Sequence, residues 1–195
     1  MVAFFLKNCA THIFKMILKY ILREDDFLNS QLFISSKSKI AKKNRRNNYL
    51  LVTLCLLIIG SLTLIRENNF LAYYLLFSGI LSFLLYPKYQ AWFYKRHFKN
   101  YVKSNMQNSF NESNLVEFSD NFIETSDKTG LTKINTTEVD QITEVNEYFY
   151  IRTKSNQYLI VPKDRIDYES VRTFLTIFAK KLDIEFVSEL NWKWS

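Results

Sequence analysis

The sequence predicts a membrane α-helical hairpin of two transmembrane helices joined to a small cytoplasmic α+β domain. Three observations predict it. Residues 49–65 and 70–86 are two 17-residue runs without a charge, only four residues apart. After Tyr101 short β-prone runs alternate with turn formers. The charge also divides along the chain: residues 1–103 carry 16 Lys and Arg against 4 Asp and Glu, or +12, and residues 104–195 carry 10 against 15, or −5. The total net charge of +7 therefore conceals two physically different halves.

The first region, 1–48, reads as an N-terminal strand followed by a basic juxtamembrane helix. Residues 12–22 are apolar with sparse lysines and read as a strand in preference to an interfacial amphipathic helix. Met1 and Met16 both stand as translation starts, and the second would leave 1–15 as an upstream extension. Glu24, Asp25 and Asp26 favour a helix start at about Asp25. That helix should run through Phe27, Leu28 and Leu32 into Lys37, Lys39, Lys42, Lys43, Arg45 and Arg46, and on into the first span. Adjacent acids could also form a catalytic carboxylate cluster, but at a helix start they read as solvent-facing caps.

The first span, 49–65, holds 11 Leu, Ile or Val residues, which favour insertion by on the order of 5 kcal/mol. Seventeen helical residues measure about 25 Å against a hydrocarbon core of about 30 Å, and flanking Asn48, Tyr86, Tyr89 and long basic side chains close the gap. Neither run has the polar face of a soluble amphipathic helix, and residue 49 is too late for a cleaved leader. Gly60 and Gly79, with Ser61, Ser78 and Ser82, let the two helices approach closely. Basic residues precede the first span, and Lys88, Lys95, Arg96, Lys99 and Lys103 follow the second. The positive-inside rule then places both termini in the cytoplasm and the loop 66–69 outside.

The segment 87–103 is basic and aromatic. Lys88, Tyr89, Trp92, Tyr94, Lys95 and Arg96 are candidate contacts for membrane-lipid headgroups, whereas the plainer role is an interfacial belt that sets depth. His97 reads as interfacial.

The last region, 104–195, shows strand-like runs at 115–118, 121–126, 131–135, 141–144, 148–153 and 158–161. Turn formers separate them at Asp120-Asn121, 127–130, Asn146-Glu147 and Ser155-Asn156. A helix should begin at Asp164 and align Val171, Phe174, Leu175, Phe178 and Leu182 on one face. An antiparallel meander capped by a C-terminal helix describes a small barrel of the pleckstrin-homology-like kind. Trp192 and Trp194 end the chain and either dock on that barrel or contact a partner.

Several of these residues together resemble the YcxB-like family of bacterial membrane proteins. They are Asp25-Asp26-Phe27 with Ser35-Ser36-Lys37, Val139-x-x-Ile142-x-Glu144 leading into 148–151, and 159–163 before the last helix. The resemblance covers roughly residues 16–182. It implies two membrane spans in the bacterial plasma membrane and a C-terminal domain of this type, and it implies no activity. Thr136 stands where many members have tryptophan, which bears on the packing of the third strand.

Chemistry is hard to find. Two Cys and two His supply neither a disulfide framework nor a metal set. Three glycines cannot build a phosphate loop, and no nucleophile motif occurs. The basic residues flank apolar runs rather than forming a nucleic-acid surface. No cofactor, metal, small-molecule substrate or nucleic-acid partner is therefore expected. The expected role is a non-enzymatic adaptor or regulator with a protein partner or self-association, of which an immunity protein is a special case. The alternative is lipid recognition by the C-terminal domain, which at −5 would need a local basic patch such as Lys128, Lys133, Arg152 and Lys154. Transport would require an oligomer, because the spans hold no charge.

Overall fold

The computed structural model describes residues 15–65, 69–128 and 130–194. They divide into two compact units, one formed by the chain up to Phe27 with Val102–Lys193, the other by Leu28–Tyr101 with the chain end from Trp194. Residues 1–14, with His12 and Cys9, lie outside the described residues, as do 66–68 of the predicted external loop.

Three helices run through the second unit: α1 (Glu24–Lys37), whose first turn belongs to the other unit, α2 (Lys39–Ile65), and α3 (Asn69–Asn105). The predicted single helix from Asp25 into the first apolar run is interrupted at Ser38. Its hydroxyl accepts the Ala41 N–H at 3.2 Å, a side-chain cap that restarts the helix one residue after α1 ends. The second apolar run does not end the helix at residue 86. Pro87 sits inside α3, which continues through the whole basic segment. Proline removes the N–H that the Phe83 carbonyl would receive, and the Tyr49 hydroxyl donates to that carbonyl at 3.4 Å.

Both α2 and α3 are long and apolar enough to cross a membrane. They pack antiparallel along a seam of small residues: Thr53 and Gly60 are the buried residues of α2, and Ala72 and Gly79 of α3 are also buried. A Cβ on Gly60 would stand 3.0 Å from Leu76 Cδ2, and one on Gly79 would stand 2.9 Å from Leu57 Cδ2. Close approach at the two glycines is therefore required by the contact itself, as in membrane helix pairs. Ser61 does not line the seam as the sequence suggests; it is exposed and donates to the Leu57 carbonyl. Only 11% of the apolar window of each helix is buried, so the helices turn their leucines and phenylalanines outward.

The described residues of the other unit form eight strands and the helix that follows the seventh. β1 (Met16–Ile21), β2 (Ser113–Phe118), β3 (Phe122–Asp127) and β4 (Gly130–Asn135) form one antiparallel sheet in that order. β1 follows the expected strand reading, burying Met16, Leu18 and Tyr20 at alternate positions. At the β3–β4 turn the Asp127 carboxylate accepts the N–H of Gly130, whose φ of 150° suits glycine alone. β5 (Val139–Glu144), β6 (Tyr148–Thr153) and β7 (Tyr158–Pro162) form a second sheet, completed by β8 (Glu185–Ser188), which runs parallel to β5. The expected meander is thus split between two sheets. The split falls at a 3-10 turn, Thr136–Glu138, where the Thr136 N–H and hydroxyl bond the Asn121 and Asp120 carbonyls. Thr136 is buried there with both its N–H and its hydroxyl bonded.

The last helix, α4 (Tyr168–Leu182), starts four residues later than the sequence predicts. Lys163–Arg165 first make a 3-10 turn and Ile166 is extended, so the helix can begin only after them. Its Val171, Phe174, Leu175 and Phe178 are buried, and Phe174 and Phe178 meet Phe118 edge-on at 5.6 and 5.7 Å between ring centres.

Candidate functional site

At 100° per residue, Lys88, Tyr89, Trp92, Lys95, Arg96 and Lys99 fall within about 120° on one side of α3. All six are exposed. Arg96 lies over the Trp92 ring at 5.5 Å, and Tyr89 and Trp92 are 6.1 Å apart. Guanidinium, ammonium and aromatic groups therefore form one continuous stripe immediately beyond the apolar part of the helix.

Tyr94 does not belong to this stripe. It projects from the opposite side, half-buried, with Arg45 5.9 Å from its ring and Phe98 at 6.3 Å. Arg45 also sits 4.8 Å over the Trp194 ring, whose indole N–H donates to the Ala91 carbonyl at 3.0 Å. Trp194 thus packs among the helices rather than on the sheets. Trp192 lies in the sheet unit, its backbone N–H donating to the Glu189 carbonyl. His97 is exposed beside Phe98.

Of the suggested patch Lys128, Lys133, Arg152 and Lys154, the first three already have partners. Lys128 pairs with Glu112 at 3.0 Å, Arg152 pairs with Asp140, and Lys133 lies 3.6 Å over the Phe122 ring. β4 and β6, which carry two of the four, are in different sheets.

Two buried carboxylates organise the sheet unit instead. Asp26 is not the solvent-facing cap expected from the sequence; it is buried. One oxygen accepts the Arg23 N–H at 2.6 Å and Arg165 Nη1 at 2.5 Å, and the other accepts the Tyr148 hydroxyl at 3.0 Å and Arg165 Nη2 at 3.3 Å. The bond back to Arg23 is one half of a capping box, so the acid does serve the helix start, from the inside. Glu144, on β5, is fully buried and accepts from Lys163 at 2.8 Å, the Tyr168 hydroxyl at 3.0 Å and Arg172 Nε at 3.2 Å. Burial alone would raise its pKa, but the bonds from Lys163, Tyr168 and Arg172 and the Lys163 charge outweigh burial and hold it below its ordinary value of 4.5. Burial, with the charge of Asp26, pushes the Tyr20 hydroxyl well above the usual tyrosine range, leaving it a neutral donor to the Ile160 carbonyl at 2.7 Å.

Sequence patterns named Asp26, Glu144 and two of their partners, Tyr148 and Lys163, but not Arg165, Tyr168 or Arg172. Arg165, Tyr168 and Arg172 follow Lys163 within ten residues, and a basic run after a strand is also an ordinary solvated turn, so no local signal marks them. Among the described residues no three His, Cys, Asp or Glu side chains gather as a metal set.

Residues 118–176 match the family model described as YcxB-like protein. The match covers β3–β7 and most of α4 and includes Glu144, Lys163, Tyr168 and Arg172. No curated protein and no solved structure matches the chain.

Proposed function

We propose that this is an integral protein of the bacterial plasma membrane, anchored by an α2–α3 hairpin with both termini cytoplasmic, and that its YcxB-like region is a pleckstrin-homology-like module that binds a protein partner. In this reading it is a non-enzymatic adaptor or regulator, and an immunity protein is one form it can take.

The observation that carries the membrane part is the outward-facing apolar surface of α2 and α3. Phe70, Phe77, Ile80 and Leu84 are each more than half exposed, a surface far larger than water-soluble proteins tolerate. The basic aromatic stripe beyond it suits the cytoplasmic headgroup layer, where anionic lipids attract cations. One antiparallel and one mostly antiparallel sheet with an amphipathic helix support the module type. Both buried carboxylates are saturated by donors, which leaves them suited to holding the fold and favours binding over catalysis.

The test is capture of the tagged full chain from native membranes in mild detergent, with co-purifying proteins identified against an untagged control. One stoichiometric partner is expected. Recovery of this chain with lipid alone would overturn the adaptor reading. For the immunity form, deletion should sensitise the cell to a membrane-directed toxin.

A second reading, lipid recognition by the sheet unit, gains from a cation-lined cavity in that unit, although not from the patch the sequence suggested.

A further inference from the structure

A cavity of about 770 Å³ opens at the C-terminal end of β1, lined by Lys19, Ile21, Arg23, Asn111, Ser113 and Arg165 among others. Its volume falls in the range of small-molecule sites. The loop before β2 closes one side, because the Asn111 N–H, from a residue with φ of 59°, donates to the Leu22 carbonyl at 2.8 Å.

Three cations meet here in a unit whose 104–195 stretch is acidic. They are not equivalent. Arg165 is a fixed wall: Asp26 holds its guanidinium, and Nη1 also donates to the Ile21 carbonyl at 2.6 Å. Lys19 is exposed and, among the described residues, has no ion pair. Among the described residues Arg23 pairs with Asp164, at 3.8 Å, with both side chains well exposed, a pairing that contributes little. Lys19 and Arg23 thus bring weakly committed positive charge to one concavity. The Asn111 amide and Ser113 hydroxyl add neutral donors, and Ile21, 45% exposed, gives an apolar rim. Several donors at one concavity, with two weakly paired cations among them, match the acceptor-rich, doubly charged end of a phosphate monoester.

We propose that this cavity binds a phosphate monoester. The proposal deepens the lipid-recognition reading and is independent of the adaptor reading, since partner capture tests neither Lys19 nor Arg23. Asp164 competes with the ligand for Arg23.

The experiment is isothermal titration of the full chain in zwitterionic detergent with short-chain phosphatidic acid and, separately, glycerol 3-phosphate. Saturable binding of at least one probe is expected. The Lys19→Ala, Arg23→Ala pair should weaken it by roughly tenfold or more, and Asp164→Asn should tighten it, a gain that cannot arise from a damaged fold. Lys154→Gln with Lys180→Gln, exposed cations of the same unit that do not line the cavity, should leave it unchanged. Preference for phosphatidic acid assigns the ligand to a lipid headgroup, and equal affinity for both probes assigns it to a soluble ester. No saturable binding of either probe, binding indifferent to Lys19 and Arg23, or binding lost with Lys154 and Lys180 would overturn the proposal.

Discussion

Asp26 and Arg165 stand 139 residues apart and meet side by side inside the sheet unit, two guanidinium nitrogens on two carboxylate oxygens. Removing one partner of such a pair strands the other charge away from water. Asp26→Ala should destabilise the protein by about 3 kcal/mol or more, measured by thermal or denaturant unfolding in detergent. Adding Arg165→Met should recover part of that loss, because the stranded cation is then gone. A double variant no better than Asp26→Ala would show that the pair acts through something other than its charge.

Glu144 gives the stability a pH signature. Its carboxyl is lowered in the folded state from 4.5, so its contribution is complete above the unfolded value and is lost as pH falls through the folded one. Stability should therefore decline as pH drops below about 4.5. Glu144→Gln should be less stable at neutral pH and show a flatter acid limb. An unchanged acid limb in the variant would remove Glu144 from the acid response.

The α2–α3 seam is set by contact rather than by composition. Gly79→Ala places a methyl group 2.9 Å from Leu57 Cδ2, an overpacking that should cost about 1–3 kcal/mol. Leu57→Ala should cost less in the Gly79→Ala background than alone, read as a positive coupling in a double-mutant cycle of unfolding in micelles. Additive effects would mean that the two residues do not touch.

The α3 stripe predicts lipid selectivity. Replacing Lys88, Lys95, Arg96 and Lys99 with Gln should lower retention of anionic phospholipid in the purified protein, at about 1 kcal/mol per cation. Lipid analysis of the detergent-extracted protein against wild type checks it. Replacing Tyr94 should not mimic the loss, since that ring faces Arg45 on the other side of the helix.

Much of the fold is legible in the residues because the signals are local. Alternation of Met16, Leu18 and Tyr20 marks β1. The Asp127 to Gly130 turn and the four-residue hairpin around Asn146 bound strands whose positions are readable to within two residues. The apolar runs and the offsets of Val171, Phe174 and Phe178 likewise mark helices by composition and period. β8 was not legible: it is four residues long and joins β5 in parallel, so no hairpin turn announces it.

The sequence by itself determined two long apolar helices, a strand-rich C-terminal half with a closing helix, and the opposite charge of the two halves. These follow from side-chain period and composition, which need no partner. Only the tertiary structure decided that Asp26 turns inward to Arg165, that Tyr94 leaves the basic stripe, that Lys128 and Arg152 are taken by Glu112 and Asp140, and that Lys19 and Arg23 share a cavity. Each of those outcomes depends on which distant charge stands within a few ångströms, and Coulomb energy and desolvation are set by that distance rather than by order along the chain.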